Sequence, residues 1–260
     1  MRRPLLALLA ACAAAACAGA AFAAPGGHLE GYVPVAAHGP GDQGSQWSTD
    51  LWIYRQEATV LHLWFNPAGH DNTDRQSAVV PLTSAETFLP DVVAATFHTT
   101  GSGSLHYLAD GPVVVVSRTW TPGPQGGTYG QTIYGIPVAD ASTPEAGQAG
   151  ALRVQLNRTA GFRANFGVVN VSGNPLTVAV DVYTADGQPA PGDSSFTVSL
   201  QPYDMKQLNK VLAGVTAPAG APLVVRAAVS SGSGGILAYA SQVDDVTNAG
   251  AYQAAFRFGF

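Results

Sequence analysis

The sequence predicts an all-β protein built as two β-sandwich domains in tandem, and three observations carry that expectation. Apolar residues alternate, or cluster in short runs rich in β-branched and aromatic side chains, with almost no helical periodicity. Turn formers separate the runs, among them many of the chain's 30 glycines and 18 prolines. The chain also repeats itself at an offset near half its length.

The runs at residues 51–54, 60–65, 113–120, 166–171, 175–183, 195–200, 223–229 and 236–243 are each bounded by Gly, Pro, Asn, Asp or Ser, the pattern of strands and turns. Asp186-Gly187 is a hairpin-turn dipeptide, because a tight primed turn needs positive φ. Residues 47–54 (WSTDLWIY) parallel residues 162–169 (FRANFGVV), 115 positions further on. Residues 80–82 parallel 198–200 at an offset of 118, and 113–118 parallel 236–241 at an offset of 123. The offset grows in loops, as it must if strands match and loops differ in length. After the second match each copy continues into a segment expected to be helical, 88–93 and 205–212. Two copies are too few for an open repeat stack, so each is expected to close its own core. Residues 139–150, small and polar, read as a linker between a first sandwich at 24–138 and a second at 151–260.

Residues 1–23 have the layout of a secretory signal: Arg2 and Arg3, an apolar run at 5–11, and Ala21-Phe22-Ala23 before the cleavage point. The expected location is periplasmic, cell-surface or extracellular. Leu9-Ala10-Ala11-Cys12 offers a competing reading, lipid anchoring at Cys12, but the apolar run before it is short and an alanine-rich stretch follows. Cys12 and Cys17 both lie in this segment, so the processed chain is expected to have neither disulfides nor thiol chemistry. The whole chain carries a charge of −5; without Arg2 and Arg3, 10 basic residues face 17 acidic ones, a charge of −7. No basic cluster occurs, which argues against nucleic acid and anionic lipid as partners. No apolar stretch past the signal is long enough for a transmembrane helix.

Residues 109–120 (ADGPVVVVSRTW), 127–131 (GTYGQ), 135–137 (GIP), 162–170 (FRANFGVVN) and 238–244 (AYASQVD) resemble a recurrent unit of secreted bacterial proteins. In that unit, paired immunoglobulin-like sandwiches occur alone or appended to larger exported proteins. The resemblance covers most of the chain past residue 24 and implies two tandem immunoglobulin-like β-sandwich domains. The group has no established function, so it implies no catalytic or binding residue.

The residues themselves do not call for catalysis. His28, His38, His62, His70, His98 and His106 form no compact pair of the kind that aims two imidazoles at one ion, and neither metal nor cofactor is expected. The polar loop at 69–75 lacks the glycine and the terminal glutamate of a calcium loop and is expected to bond its own backbone. No Gly-x-Ser-x-Gly elbow exists, and Asp244 and Asp245 would point to opposite faces of a strand.

All four tryptophans, Trp47, Trp52, Trp64 and Trp120, fall in the first copy. Trp47 and Trp64 are expected to fill a core. Trp120, before the turn at Thr121-Pro122-Gly123, is expected to be exposed with Tyr129 and Tyr134 as a contact surface. The strand at 60–65 is apolar on both parities, so Leu61, Leu63 and Phe65 are expected to meet the second domain or a partner. The C-terminal alternation is expected to form a last sandwich strand with Phe256, Phe258 and Phe260 facing the core, or to pair with a neighbouring molecule. The functional expectation is a non-catalytic, adhesion-like interaction or structural module whose partner is a protein or polysaccharide at the cell envelope. The alternatives are a carbohydrate-binding module in the first domain, and a hydrolase whose site is dispersed in sequence.

Overall fold

The computed structural model describes residues 27–41, 44–123, 126–144, 151–157, 161–247 and 249–257. The export signal with Cys12, the second half of the linker (145–150), and Phe258 and Phe260 lie outside the described residues.

The described chain is all-β, with its sheets packed as sandwiches. The first half contains β1 (His28–Pro40), β2 (Gln46–Arg55), β3 (Thr59–Pro67), β4 (Ala78–Leu82), β5 (Glu86–Leu89), α1 (Val92–Phe97), β6 (Gly101–Pro122), β7 (Thr128–Tyr134) and β8 (Ile136–Pro137). The second contains β9 (Leu152–Asn157), β10 (Phe162–Asn170), β11 (Leu176–Thr184), β12 (Ser195–Leu200), β13 (Met205–Leu208), β14 (Pro222–Ser231), β15 (Ile236–Asp244), β16 (Gly250–Ala254) and β17 (Phe256–Arg257).

Strand β6 organises the first half because it is long enough to serve two layers. Its start pairs with β1 and β3, giving the order β4-β3-β6-β1 with β8 beyond β1. Its end pairs with β2 and β7, giving β5-β2-β6-β7. In the second half two strands do the work of β6. One sheet runs β12-β11-β14-β9-β17 and the other β13-β10-β15-β16. The two halves therefore share one strand order, layer by layer, and the segments matched in sequence are β2 with β10, β4 with β12, and the end of β6 with β15.

Period-two burial follows from the alternation. Leu51 and Ile53 on β2, Leu61, Leu63 and Phe65 on β3, and Val113 and Val115 on β6 fill the first interior. Val178, Val180 and Val182 on β11, with Leu223 and Val225 on β14, fill the second. The first core extends beyond its own half. Val169, Met205, Leu237 and Tyr239 belong to the same buried cluster, because the outer face of the sheet β13-β10-β15-β16 lies on the first half. Its neighbours across that boundary are β1, which meets β10 and β15, and β7, which meets β16. Gly167 permits this: a Cβ there would stand 2.0 Å from the Tyr239 ring of the adjacent strand.

Three sequence expectations are corrected. Residues 205–212 form no helix. Met205–Leu208 pairs in register with β10, and tertiary edge pairing outweighs a short helical pattern. In the first half Phe88 is on β5, and the helix starts only at Val92, between left-handed Asp91 and His98. The C-terminal strand does not present Phe256 to the core. The chain changes sheets at buried Ala255, β17 pairs with β9, and Phe256 is 54% exposed. The Asp186-Gly187 turn forms as expected, with Gly187 at φ 80°.

Candidate functional site

The solvent face of β5-β2-β6-β7 is the candidate site. Side chains of Leu51, Ile53, Val115 and Ser117 point inward, so the opposite parity points out. Register aligns that parity into rows. Phe88, Trp52, Val116 and Tyr134 are consecutive cross-strand partners, a row spanning about 14 Å at the usual strand spacing. One row along come Glu86, Tyr54 and Val114; on the other side come Asp50, Arg118 and Thr132, then Ser48, Trp120 and Gly130. The Phe88 and Trp52 rings sit 4.9 Å apart. Phe88 is 47% exposed, Tyr54 40% and Tyr134 64%. A face this rich in exposed aromatic carbon, with few charges inside it, has the composition of a contact surface.

Trp120 and Tyr134 share this face; Tyr134 is exposed, but Trp120, expected to be exposed, is not. Trp120 is half-buried and immobilised: its Nε1 donates to Asp50 Oδ2 at 2.8 Å, while Asp50 Oδ1 accepts the Asp91 backbone N–H at 2.9 Å. Tyr129 is not part of it. Its strand partner is Thr121, whose side chain points inward, so the Tyr129 ring packs on the opposite side near Gly123. Leu61, Leu63 and Phe65 are corrected outright. They are core side chains, the two leucines fully buried within the chain. It is the other parity of β3, with Trp64, that faces the second half. Sequence reasoning missed Trp52, Tyr54 and Phe88, although the parity of β2 signals two of them: Trp52 and Tyr54 alternate with the apolar pair Leu51 and Ile53.

A second concavity, about 370 Å³, opens between the halves. Trp47, Gln131, Asn165, Gln207, Ser241 and Arg163 are among the groups lining it. Ser241 Oγ donates to Gln131 Oε1 at 3.0 Å across the boundary, and Arg163 pairs with Asp245 at 3.1 Å. His38 also lines the cleft, its Nδ1 2.8 Å from Asp91 Oδ2, while no Asp or Glu lines the cleft itself among the described residues.

The buried histidine is elsewhere. His106 lies between the rings of Tyr32 (4.5 Å) and Trp64 (4.8 Å) on the outer face of β1, β3 and β6. Arg75, a donor only, gives a hydrogen bond to Nδ1 at 3.0 Å, which leaves the proton on Nε2 to be donated to Glu30 Oε1 at 2.9 Å. Both ring nitrogens are engaged. Burial, and then the Arg75 charge, outweigh the Glu30 bond and hold the imidazole pKa down at about 4. Arg75 also lies 3.5 Å over the Tyr203 ring of the second half. Beside it the polar loop bonds its own backbone, as expected, through Asp71 to Thr73 N–H. The loop also latches across the boundary: Gly69 N–H donates to Asp204, Asn72 N–H to Pro202 O, and Asn72 Nδ2 to Tyr203 O.

Among the described residues no cluster of three or more His, Cys, Asp or Glu side chains could hold a metal ion, and no helix is long and apolar enough to cross a membrane. No protein-family model matches the sequence, and no curated protein matches it. Among solved structures the chain is similar to the lectin from Pleurotus ostreatus in complex with GalNAc, at 9% identity and a TM-score of 0.22 over 88% of this chain and 77% of that one. The apo form of the Pleurotus ostreatus lectin gives 10% identity and a TM-score of 0.22 over 88% and 76%. At that distance neither structure bears on the ligand.

Proposed function

We propose that the protein is a non-catalytic interaction or structural module of an exported chain, built from two tandem immunoglobulin-like sandwiches and acting outside the cytoplasm. The observation that carries the reading is the row Phe88, Trp52, Val116 and Tyr134 on the sheet's outer face, exposed at its two ends, Phe88 and Tyr134. Rings on strands bind with little loss of conformational freedom, which suits a standing contact surface. The layout of residues 1–23 supports export. The test is capture from the native cell envelope by the immobilised chain, compared with a Phe88→Ser/Tyr134→Ser variant. Both residues are exposed enough to change without unfolding the sheet. A partner retained by the native chain and lost by the variant supports the reading; capture that ignores the face overturns it.

A second reading, a carbohydrate-binding module, is favoured by the cleft between the halves. An indole from the first half and several neutral amides and hydroxyls surround a volume suited to one or two sugar rings. Titration with a saccharide panel, read by tryptophan fluorescence in the native chain and in Trp47→Phe, tests it. Absence of saturable quenching in the native chain removes the reading.

A further inference from the structure

The side-chain amides that line the cleft between the halves are all turned the same way. Among the described residues they are Gln131 from the first half and Asn165, Gln207 and Asn209 from the second. Each of their oxygens is already used inside the chain. Asn165 Oδ1 accepts the Lys210 backbone N–H at 3.1 Å, a partner that can only donate, so the orientation of that amide is fixed. Gln131 Oε1 accepts from Ser241 Oγ at 3.0 Å, and Gln207 Oε1 from the Tyr239 hydroxyl at 2.9 Å. Gln207 Nε2 donates in turn to Asn209 Oδ1 at 2.8 Å. What remains is the donor side. Asn165 is only 6% exposed, and among the described residues its Nδ2 makes no hydrogen bond. Gln131 Nε2 and Asn209 Nδ2 are left in the same state. Asn165 and Ser241 are cross-strand partners, which sets the Asn165 amide beside that of Gln131. The acids that pair with His38 and Arg163, Asp91 and Asp245, do not line the cleft. Donors gathered on one wall select a ligand rich in acceptors.

We propose that the cleft binds an acidic saccharide of the uronate class, with a sugar ring against Trp47 and its carboxylate taken by the amide N–H groups of Asn165 and Gln131. The inference rests on the carbohydrate-binding reading and names the ligand class of that cleft. A carboxylate offers two acceptor oxygens and no donor, which matches a wall of N–H groups. A neutral hydroxymethyl group brings a donor for which these amides hold no oxygen, and each N–H bond it accepts is weaker than one to a charged oxygen. The Trp47 indole supplies the apolar surface on which the face of a sugar ring can rest. Because the amide oxygens are tied to Lys210, Ser241, Tyr239 and Gln207, the donors are held in place before a ligand arrives.

The test is calorimetric titration of the full chain with an oligogalacturonate, with the matching galactose oligosaccharide that lacks the carboxylates, and with acetate. The native chain is expected to bind the uronate about tenfold or more tightly than the neutral sugar, and acetate not measurably. Asn165→Asp keeps the oxygen that accepts the Lys210 N–H and turns the donor into a charged acceptor. Uronate binding should then fall about tenfold or more, while the neutral sugar is little affected. Gln131→Glu makes the same exchange at a half-buried position beside Ser241, and it carries the test if thermal unfolding shows that Asn165→Asp does not fold. Equal affinity for the two saccharides overturns the acidic ligand and leaves the carbohydrate-binding reading standing. Binding of neither removes that reading and the inference with it. Acetate bound as tightly as the uronate overturns the saccharide as ligand. Uronate binding that neither variant weakens overturns the role of the two amides.

Discussion

His106 makes the stability of the boundary between the halves depend on pH in a direction the geometry fixes. Its imidazole is 8% exposed, stacked between Tyr32 and Trp64, and accepts from Arg75 at Nδ1. Protonation would remove that acceptor and place an imidazolium beside a guanidinium. Burial is the largest cost to the charged form, and the hydrogen bond to Glu30, which pulls the other way, does not offset it. The folded pKa of about 4 lies below the ordinary 6.5, so between these values the unfolded chain binds a proton that the folded chain refuses. The stabilisation is therefore complete above pH 6.5 and is lost as pH falls towards 4. The displacement from 6.5 to about 4 amounts to roughly 3 kcal/mol. Urea unfolding of the native chain and of His106→Gln at several pH values isolates this term, because other carboxylates contribute to both proteins. The difference in unfolding free energy should shrink by about 3 kcal/mol from pH 7 to pH 4. Parallel curves for the two proteins would refute the assignment of a neutral, desolvated imidazole.

Three further perturbations test the packing. Leu61→Ala should cost about 3 kcal/mol by cavity formation in the first core, read as a lowered unfolding midpoint; a near-neutral result would mean that Leu61 meets solvent or a partner after all. Gly167→Ala should destabilise by about 1–3 kcal/mol, because its Cβ meets the Tyr239 ring at 2.0 Å, and Tyr239→Ala in the same background should recover part of the loss. Asn170→Ala should cost about 2–4 kcal/mol: the side chain is fully buried, donates to Asn174 O and Gln201 O, and accepts from Ser172 N–H. Thermal denaturation of the variant checks it.

Strand positions were legible because each face of a strand meets one environment, and alternation records it. β11 illustrates this: Val178, Val180 and Val182 face the core, while Thr177 and Asp181 do not. β3 was harder. Its second face is also covered, in part by Arg75 and His106, and Arg75 is held by Tyr203, more than a hundred residues away in sequence. With Leu61, Leu63, Val60 and Trp64 all apolar, no local pattern says which parity is the core. Met205–Leu208 misled for a related reason: its strand exists through pairing with β10, and four residues leave no periodicity to read. At the candidate site, Tyr134 was legible from its place at a strand end, whereas the half-burial of Trp120 depends on Asp50, 70 residues away. Trp52 and Phe88 were not singled out, because their partnership depends on the register of β2 against β5.

The divergence of the two halves turns on one aligned pair of positions. Trp52 and Gly167 are 115 residues apart, the offset of the first matched segment, and they occupy the same place on β2 and β10. Glycine at the second position leaves a hollow into which the Tyr239 ring settles, flattening the sheet face so that the first half can lie on it. Tryptophan at the first position does the opposite. It raises a ring above the sheet, against Phe88, where only an external surface can cover it. Valines at 114 and 116 stand where Leu237 and Tyr239 stand in the other half, so the aromatic mass has moved from the β6 position to the β2 position. The redistribution closes one face within the chain and leaves the other with its rings at the surface, the arrangement on which the proposed interaction surface rests.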